Sequence, residues 1–266
     1  MTSNRVNSTA KALKILDCFS PSQPELTLAQ ISRILDMPKS TLLIHLNTLQ
    51  EAGYIVRSQD TQVYRLGYKI LELNYISRAS MPVIQYAIPF MEEIQEQTKE
   101  FVYLTSHVNG RVLYLECMYP SRRSVSYSVS GKTVPMHCTS SGKAMLSQMP
   151  TKQVEDIIKK HGLPPVTANT YTDYDAFFEE LARSRARGYA VDNEEETLGV
   201  KCIAVAIRTS RGEVAGAMSI SGSVLTMRDE LREKYATLLS RACNALVPNA
   251  NLFPAIQLSE NSYQSY

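Results

Sequence analysis

Residues 26–66 constrain this chain more tightly than any other stretch. In "LTLAQISRIL", Leu28, Ile31 and Leu35 share one helical face. Thr27 stands where a cap belongs, and Gln30 three residues later completes a capping box. The turn Asp36-Met37-Pro38 leads into "KSTLLIHLNTLQEAG", where Leu42, Leu46 and Leu49 repeat at helical spacing and Gly53 takes the C-terminal cap. "YIVR" and "VYRL" then flank the polar "SQDTQ", a hairpin signal. A further helix over 8–19 carries Leu13, Leu16 and Phe19 and stops at Pro21 and Pro24. Helix, helix, tight turn, helix and hairpin within about sixty residues is the layout of a winged helix-turn-helix, here spanning 1–67.

Such a domain lays its second helix in the major groove of double-stranded DNA, with the helix start near base edges. Lys39, Ser40 and Thr41 occupy that start. Lys39 suits a phosphate, whereas Ser40 and Thr41 can donate to phosphate or base. Ile44, His45 and Thr48 lie off the leucine stripe, and Arg57 and Arg65 flank the wing. Residues 1–80 carry nine Lys/Arg against six Asp/Glu, and the remainder nineteen against twenty. That modest asymmetry leaves room for an anionic partner of the first segment. The competing reading is a winged helix that only assembles subunits.

A linker helix is expected over 68–82, closed by Met81-Pro82. Residues 83–248 form a second domain. A helix at about 83–98 carries Ile84, Ile88, Met91 and Ile94, and "FVYLTSHV" and "RVLYLECM" flank the hairpin dipeptide Asn109-Gly110. "SVSYSV" alternates like another strand. Helices are expected near 142–148, 152–160 and 174–187, strands at 200–208 and 214–221, and a last helix at 227–246. Hairpin-joined strands with helices between them read as α+β with a largely antiparallel sheet. Residues 249–266 show no period and read as a disordered tail.

No run of eighteen apolar residues exists, so no membrane span is expected. The N-terminus lacks a signal-peptide pattern, which points to the cytoplasm and empties the Asn7-Ser8-Thr9 acceptor pattern of meaning. The five cysteines are odd in number and include no C-x-x-C pair, so free thiols are expected and a zinc knuckle is excluded.

"YAVDNEEETLGVKC" at 189–202 is the stretch where chemistry could sit. A metal site would draw on Asp192, Cys202, His137 and Cys138, but adjacent residues on a strand point apart. A Cys202–His137 thiol site with Asp192 is the enzymatic alternative, although a cysteine on an apolar strand is usually a core residue. Ser140-x-x-Lys143 lacks the companion motifs of acyl-transferring enzymes, and Gly142-Lys143-Ala144 lacks P-loop spacing. No catalytic residue, metal or cofactor is therefore expected. The third reading is a ligand pocket. "TSSGK" opens a helix whose free N–H groups suit a carboxylate. Asp192 can accept from a hydroxyl, and Cys202, Ser219 and Ser221 share inward parity on two strands. Glutamates 194–196 read as a solvated loop edge, where Glu195→Gln would change little.

The combination "LTLAQISRILDMPKSTLLIHLNTLQEAGYIVR", "YRLGYKILEL", "PMHCTSSGKAML", "GYAVDNEEETLGVKCIAVAI" and "GAMSISG" resembles the IclR family of bacterial transcription regulators over residues 5–247. The resemblance implies a GAF-like effector-binding domain, homodimers or dimers of dimers, and binding to a palindromic operator controlled by a small organic-acid effector from carbon catabolism. It also implies that Ser140, Ser141, Asp192, Cys202, Ser219 and Ser221 line the effector site. Departures occur at Ile44, where the family often carries Arg, at His45, where it prefers an apolar residue, and at Ser140 and Ser141, where smaller residues are common.

Overall fold

The computed structural model describes residues 6–120 and 129–253. The strand expected at "SVSYSV" falls almost wholly outside them. The chain divides into two compact units, one ending at Ser80 and one starting at Met81.

In the first unit, α1 (Asn7–Leu16), α2 (Leu28–Ile34) and α3 (Lys39–Glu51) stand beside a sheet of β1 (Leu26–Thr27), β3 (Val63–Leu66) and β2 (Ile55–Arg57), in that order and antiparallel. The capping box forms in both directions: the Gln30 amide donates to Thr27 Oγ1 at 3.3 Å and the Thr27 amide to Gln30 Oε1 at 2.8 Å. Gly53 ends the α3 segment at φ +78°, a region glycine enters without strain. Ile15, Ile31, Leu42, Leu46, Leu49, Ile55 and Tyr64 form the core. A further helix, α4 (Lys69–Ala79), buries none of its residues within the chain. The helix expected over 8–19 is shorter, and Cys18 and Phe19 pack from the turn after it.

Among the described residues the second unit holds a six-stranded antiparallel sheet in the order β6-β5-β4-β9-β8-β7, built from β4 (Phe101–Val108), β5 (Arg111–Met118), β6 (Thr133–Pro135), β7 (Ala190–Asn193), β8 (Val200–Arg208) and β9 (Val214–Ser223). Strand alternation sends Val102, Leu104, Ile203, Val205, Ile207, Met218 and Ile220 to one face, where α5 (Pro82–Thr98) and α9 (Arg232–Leu246) cover them. The opposite parity faces α6 (Ser140–Gln148), α7 (Thr151–His161) and α8 (Tyr174–Arg187). There Ala144 packs on Ala190 and Ala204, so α6 lies close against the sheet. The expected helix at 227–246 is delayed: a 3₁₀ turn at Asp229–Leu231 precedes α9. The expected tail also starts later, because Val247–Leu252 is a 3₁₀ turn and Ala250 and Phe253 bury into the main core. Among the described residues no helix is long and apolar enough to cross a membrane.

Candidate nucleic-acid interface and effector pocket

The first unit presents the residues expected at DNA on its surface. Lys39 and Ser40, the first residues of α3, are exposed, as are Ile44 and Thr48 one and two turns on, while Thr41 and His45 are half-buried. The Thr48 hydroxyl already donates to the Ile44 carbonyl at 3.0 Å. On the wing, Arg57 bonds Gln62 and lies 5.5 Å from the Tyr64 ring centre, so its guanidinium is held against the hairpin. Arg65 sits 3.9 Å from Glu25, an exposed pair of little energetic weight that leaves it able to turn to a phosphate.

In the second unit, the uncovered end of the α6 face of the sheet is a cavity of about 220 Å³. Its floor is one cross-strand row. Asp192 on β7 pairs with Cys202 on β8, Cys202 with Ser221 on β9, and Ser221 with Phe101 on β4. In the next row Ser219 stands opposite Tyr103. The thiol of Cys202 donates to Ser221 Oγ at 3.0 Å. The wall is the start of α6. Thr139 caps it, its Oγ1 accepting from the Gly142 amide at 3.2 Å. The amides of Ser140 and Ser141, the first two of the helix, have no partner among the described residues. All six residues expected at an effector thus line one cavity. It also takes Phe101, Tyr103, Tyr114 and Lys132, which sequence reasoning missed. The aromatic residues on β4 could have been found by the parity that found Ser219, since Phe101 and Tyr103 alternate with the core residues Val102 and Leu104.

The acidic run is not a solvated edge. Glu194 adopts φ +64° and closes the loop: its amide donates to the Val200 carbonyl at 3.1 Å, and its Oε2 accepts from the Gly199 amide at 2.8 Å. Glu195 is turned inward, 3% exposed, and pairs with the fully buried Lys143. Glu196 sits on the cavity rim, 3.6 Å from Lys132. The expectation that Glu195→Gln would change little therefore loses its premise, a solvated Glu195. A left-handed residue at 194 redirects the next side chain into the protein, and an internal cation receives it.

Burial pushes the carboxyl of Asp192 up to about 7; the Glu195 amide that it accepts opposes this, the Glu195 carboxylate adds to it and Lys143 opposes it. Burial, and then Asp192, also drive the Cys202 thiol well above its ordinary range. A thiol so disposed remains protonated and is a poor nucleophile. His137 does not activate it: its Nε2 lies 2.9 Å from the Pro164 carbonyl. His137 and Cys138 lie in the turn after β6 and not on a strand, so the strand argument used to separate them does not apply. Among the described residues no group of three His, Cys, Asp or Glu is placed to hold a metal.

Comparison with known proteins adds the lineage. The model of the bacterial transcriptional regulator IclR C-terminal domain matches residues 75–247, and that of the IclR helix-turn-helix domain matches residues 8–59. The chain is 29% identical over 241 residues to the HTH-type transcriptional regulator XynR of Escherichia coli, covering 91% of this chain and 96% of that one. It is 31% identical over 227 residues to the regulator BhcR of Paracoccus denitrificans, covering 85% and 81%. Among solved structures, Thermotoga maritima IclR superposes with a TM-score of 0.70 at 28% identity, over 92% of this chain and 99% of that one. An IclR homologue from Microbacterium hydrocarbonoxydans, solved in complex with 4-hydroxybenzoate, superposes with a TM-score of 0.76 at 25% identity over the same shares. The two family models cover the helix-turn-helix and the sheet domain in the order in which the structure presents them, and the chain belongs to the IclR family: it is a DNA-binding transcription regulator with a C-terminal effector domain.

Proposed function

We propose that the chain controls a carbon-catabolism operon, and that a small carboxylic acid bound in the 220 Å³ cavity sets its affinity for a palindromic operator. The observation that carries this reading is the pair of unpartnered amides at Ser140 and Ser141, set over a floor of hydroxyl, thiol and carboxyl groups. A helix start accepts a carboxylate without a buried countercharge. Asp192, Cys202, Ser219 and Ser221 address the ligand's other polar groups, and the rings of Phe101, Tyr103 and Tyr114 offer it an apolar side. The cavity is smaller than those that take drug-sized molecules, which points to a small metabolite. The 4-hydroxybenzoate held by the Microbacterium homologue is of this class. Copies of the chain would pair through the exposed apolar side chains Leu71, Tyr75 and Ile76 of α4, giving a homodimer that matches a two-fold operator. Such a regulator meets its DNA in the cytoplasm.

A thermal-shift screen of small organic acids tests the ligand. An acid at a hundredfold its Kd stabilises by about 2.7 kcal/mol, a rise in Tm of about 5–10 °C for a chain of this size. A panel of mono- and dicarboxylates, hydroxy, oxo and aromatic acids that moves Tm nowhere would remove the carboxylate reading.

At the DNA, Lys39 would meet a phosphate, Ser40, Thr41, Ile44, His45 and Thr48 would lie along the groove, and Arg57 and Arg65 would reach the flanking backbone. Lys39→Ala is expected to weaken binding to operator and random duplex alike and to lower the salt slope by about one. Fluorescence anisotropy across a salt series measures both. Unchanged affinity on both duplexes would count against this docking.

A further inference from the structure

We propose that the buried Lys143–Glu195 ion pair is the positioning element of the effector pocket, fixing the anion-binding helix start and the Asp192 loop at a separation that one small ligand can span. The inference rests on the pocket reading above and goes beyond it, because neither residue lines the cavity.

The geometry joins two walls that the chain otherwise connects only over long distance in sequence. Lys143 belongs to the first turn of α6, so its side chain is rigidly tied to the amides of Ser140 and Ser141. Its Nζ donates to Glu195 Oε1 at 2.5 Å, with both side chains almost wholly buried. Glu195 in turn organises the opposite wall. Its amide donates to Asp192 Oδ1 at 2.7 Å, its Oε1 accepts from the Asn193 amide at 3.2 Å, and its carbonyl accepts from Thr170 Oγ1 at 2.8 Å. Lys143 is therefore linked to Asp192 through a single residue.

The arrangement is poorly suited to stability alone. Removing two charges from water is costly, and a buried pair offsets that cost only when its remaining polar atoms are satisfied. Here Glu195 Oε2 is buried with no hydrogen-bond partner among the described residues. On the other side, Lys143 Nζ lies 5.1 Å from the Tyr171 ring centre. The groups facing Asp192 are Glu195 and Glu196 from its own loop, Lys143 from α6, Cys202 from β8, Cys138 from the turn before α6 and Tyr114 from β5. Lys143 is the cation among them, and Glu195 occupies it. Asp192, whose Oδ1 accepts the Glu195 amide, meets the ligand without a bonded cation.

The test uses the full chain and needs no ligand. Aspartate labelled with ¹³C at its carboxyl reports the titration of Asp192, and ¹⁵N spectra report the amides of Ser140 and Ser141. In Glu195→Gln, Lys143 loses its bonded counterion, and the carboxylates left facing it are Asp192 and Glu180 of α8, the latter already engaged by Arg183 and Arg187. The Asp192 midpoint should then fall from about 7 toward the ordinary carboxylate range, and both amide signals should move. A lower Tm with an unmoved midpoint and unmoved amides would make the pair merely structural and overturn the proposal. Should Glu195→Gln fail to fold, the double variant Lys143→Met/Glu195→Gln decides, since removing both charges restores what removing one destabilises. In it, Tm should recover, the Asp192 midpoint should stay closer to its parent value than in Glu195→Gln, because the Lys143 charge that lowered it is removed together with the Glu195 charge that raised it, and the Ser140 and Ser141 amides should still shift. Binding of 4-hydroxybenzoate as a probe should weaken about tenfold. Parent-like amides in the double variant would overturn the proposal. A parent chain that ignores 4-hydroxybenzoate bears only on the choice of ligand, and the spectra still decide.

Discussion

Gly142→Ala is expected to destroy the fold of the effector domain, not to tune its pocket. A Cβ built at Gly142 would lie 2.1 Å from the Met136 carbonyl oxygen and 2.4 Å from Met136 Cα. Both are backbone atoms, so no side chain can swing aside. The segment cannot shift freely either, because Met136 is itself packed in the core formed by Val112, Val134, Met145 and Leu146. The same glycine amide receives the Thr139 cap, so moving it also loosens the helix start. Ordinary overpacking costs about 1–3 kcal/mol, and a contact this short against fixed backbone should exceed that range. The melting temperature of the full chain should fall by about 10 °C or more, or soluble protein should not form. A variant melting within about 2 °C of the parent would mean that the turn at residues 136–138 yields easily.

Much of the architecture was legible because local rules and tertiary outcome agree. Thr27 and Gln30 cap as their spacing demands, and Leu42, Leu46 and Leu49 bury as one helical stripe. The pocket floor was legible for a similar reason. Period-two alternation places Cys202, Ser219 and Ser221 on the face opposite Ile203, Met218 and Ile220, and burial of that apolar set fixes the register. Lys143 and Glu195 were hidden because nothing local marks them. Three successive glutamates read as exposed in any window. Their divergence depends on the left-handed φ of Glu194 and on a cation 52 residues earlier in the chain. The C-terminal boundary was misjudged on similar grounds. Ala250 and Phe253 follow no period, and only the core that receives them shows that they are ordered.

Asp192→Asn should separate the role of this carboxyl in stability from its role at the ligand, because the two should move in opposite directions. The folded-state value of about 7 lies some three units above that of an exposed aspartate. With the folded value raised, the fold holds a proton that the unfolded chain releases. The associated stability is fully present below about pH 4, is lost as pH rises toward about 7, and stays lost above it. Three units correspond to at most about 4 kcal/mol. Asparagine carries no titrating proton, and its side-chain oxygen can still accept the Glu195 amide that Asp192 Oδ1 accepts now. The variant should therefore match the parent near pH 4 and melt progressively above it up to about pH 7, with a constant advantage beyond. Glu195 is also raised by burial and gives the parent a second slope in the same direction, so the difference between the two chains, not either curve alone, isolates Asp192. Effector affinity should move the other way. The amide cannot reproduce the carboxyl's donor and acceptor geometry, and a polar ligand group left unmatched in the cavity costs about 1–3 kcal/mol, roughly tenfold to a hundredfold in Kd. Calorimetry with the acid that gives the largest shift in the screen, beside melting curves from acid to mildly alkaline pH, reads both effects. A variant less stable than the parent above neutral pH would show that Asp192 is held as an anion by Lys143. A stability gain with unchanged affinity would mean that the ligand never meets this side chain, leaving the helix start and the serine row as its partners.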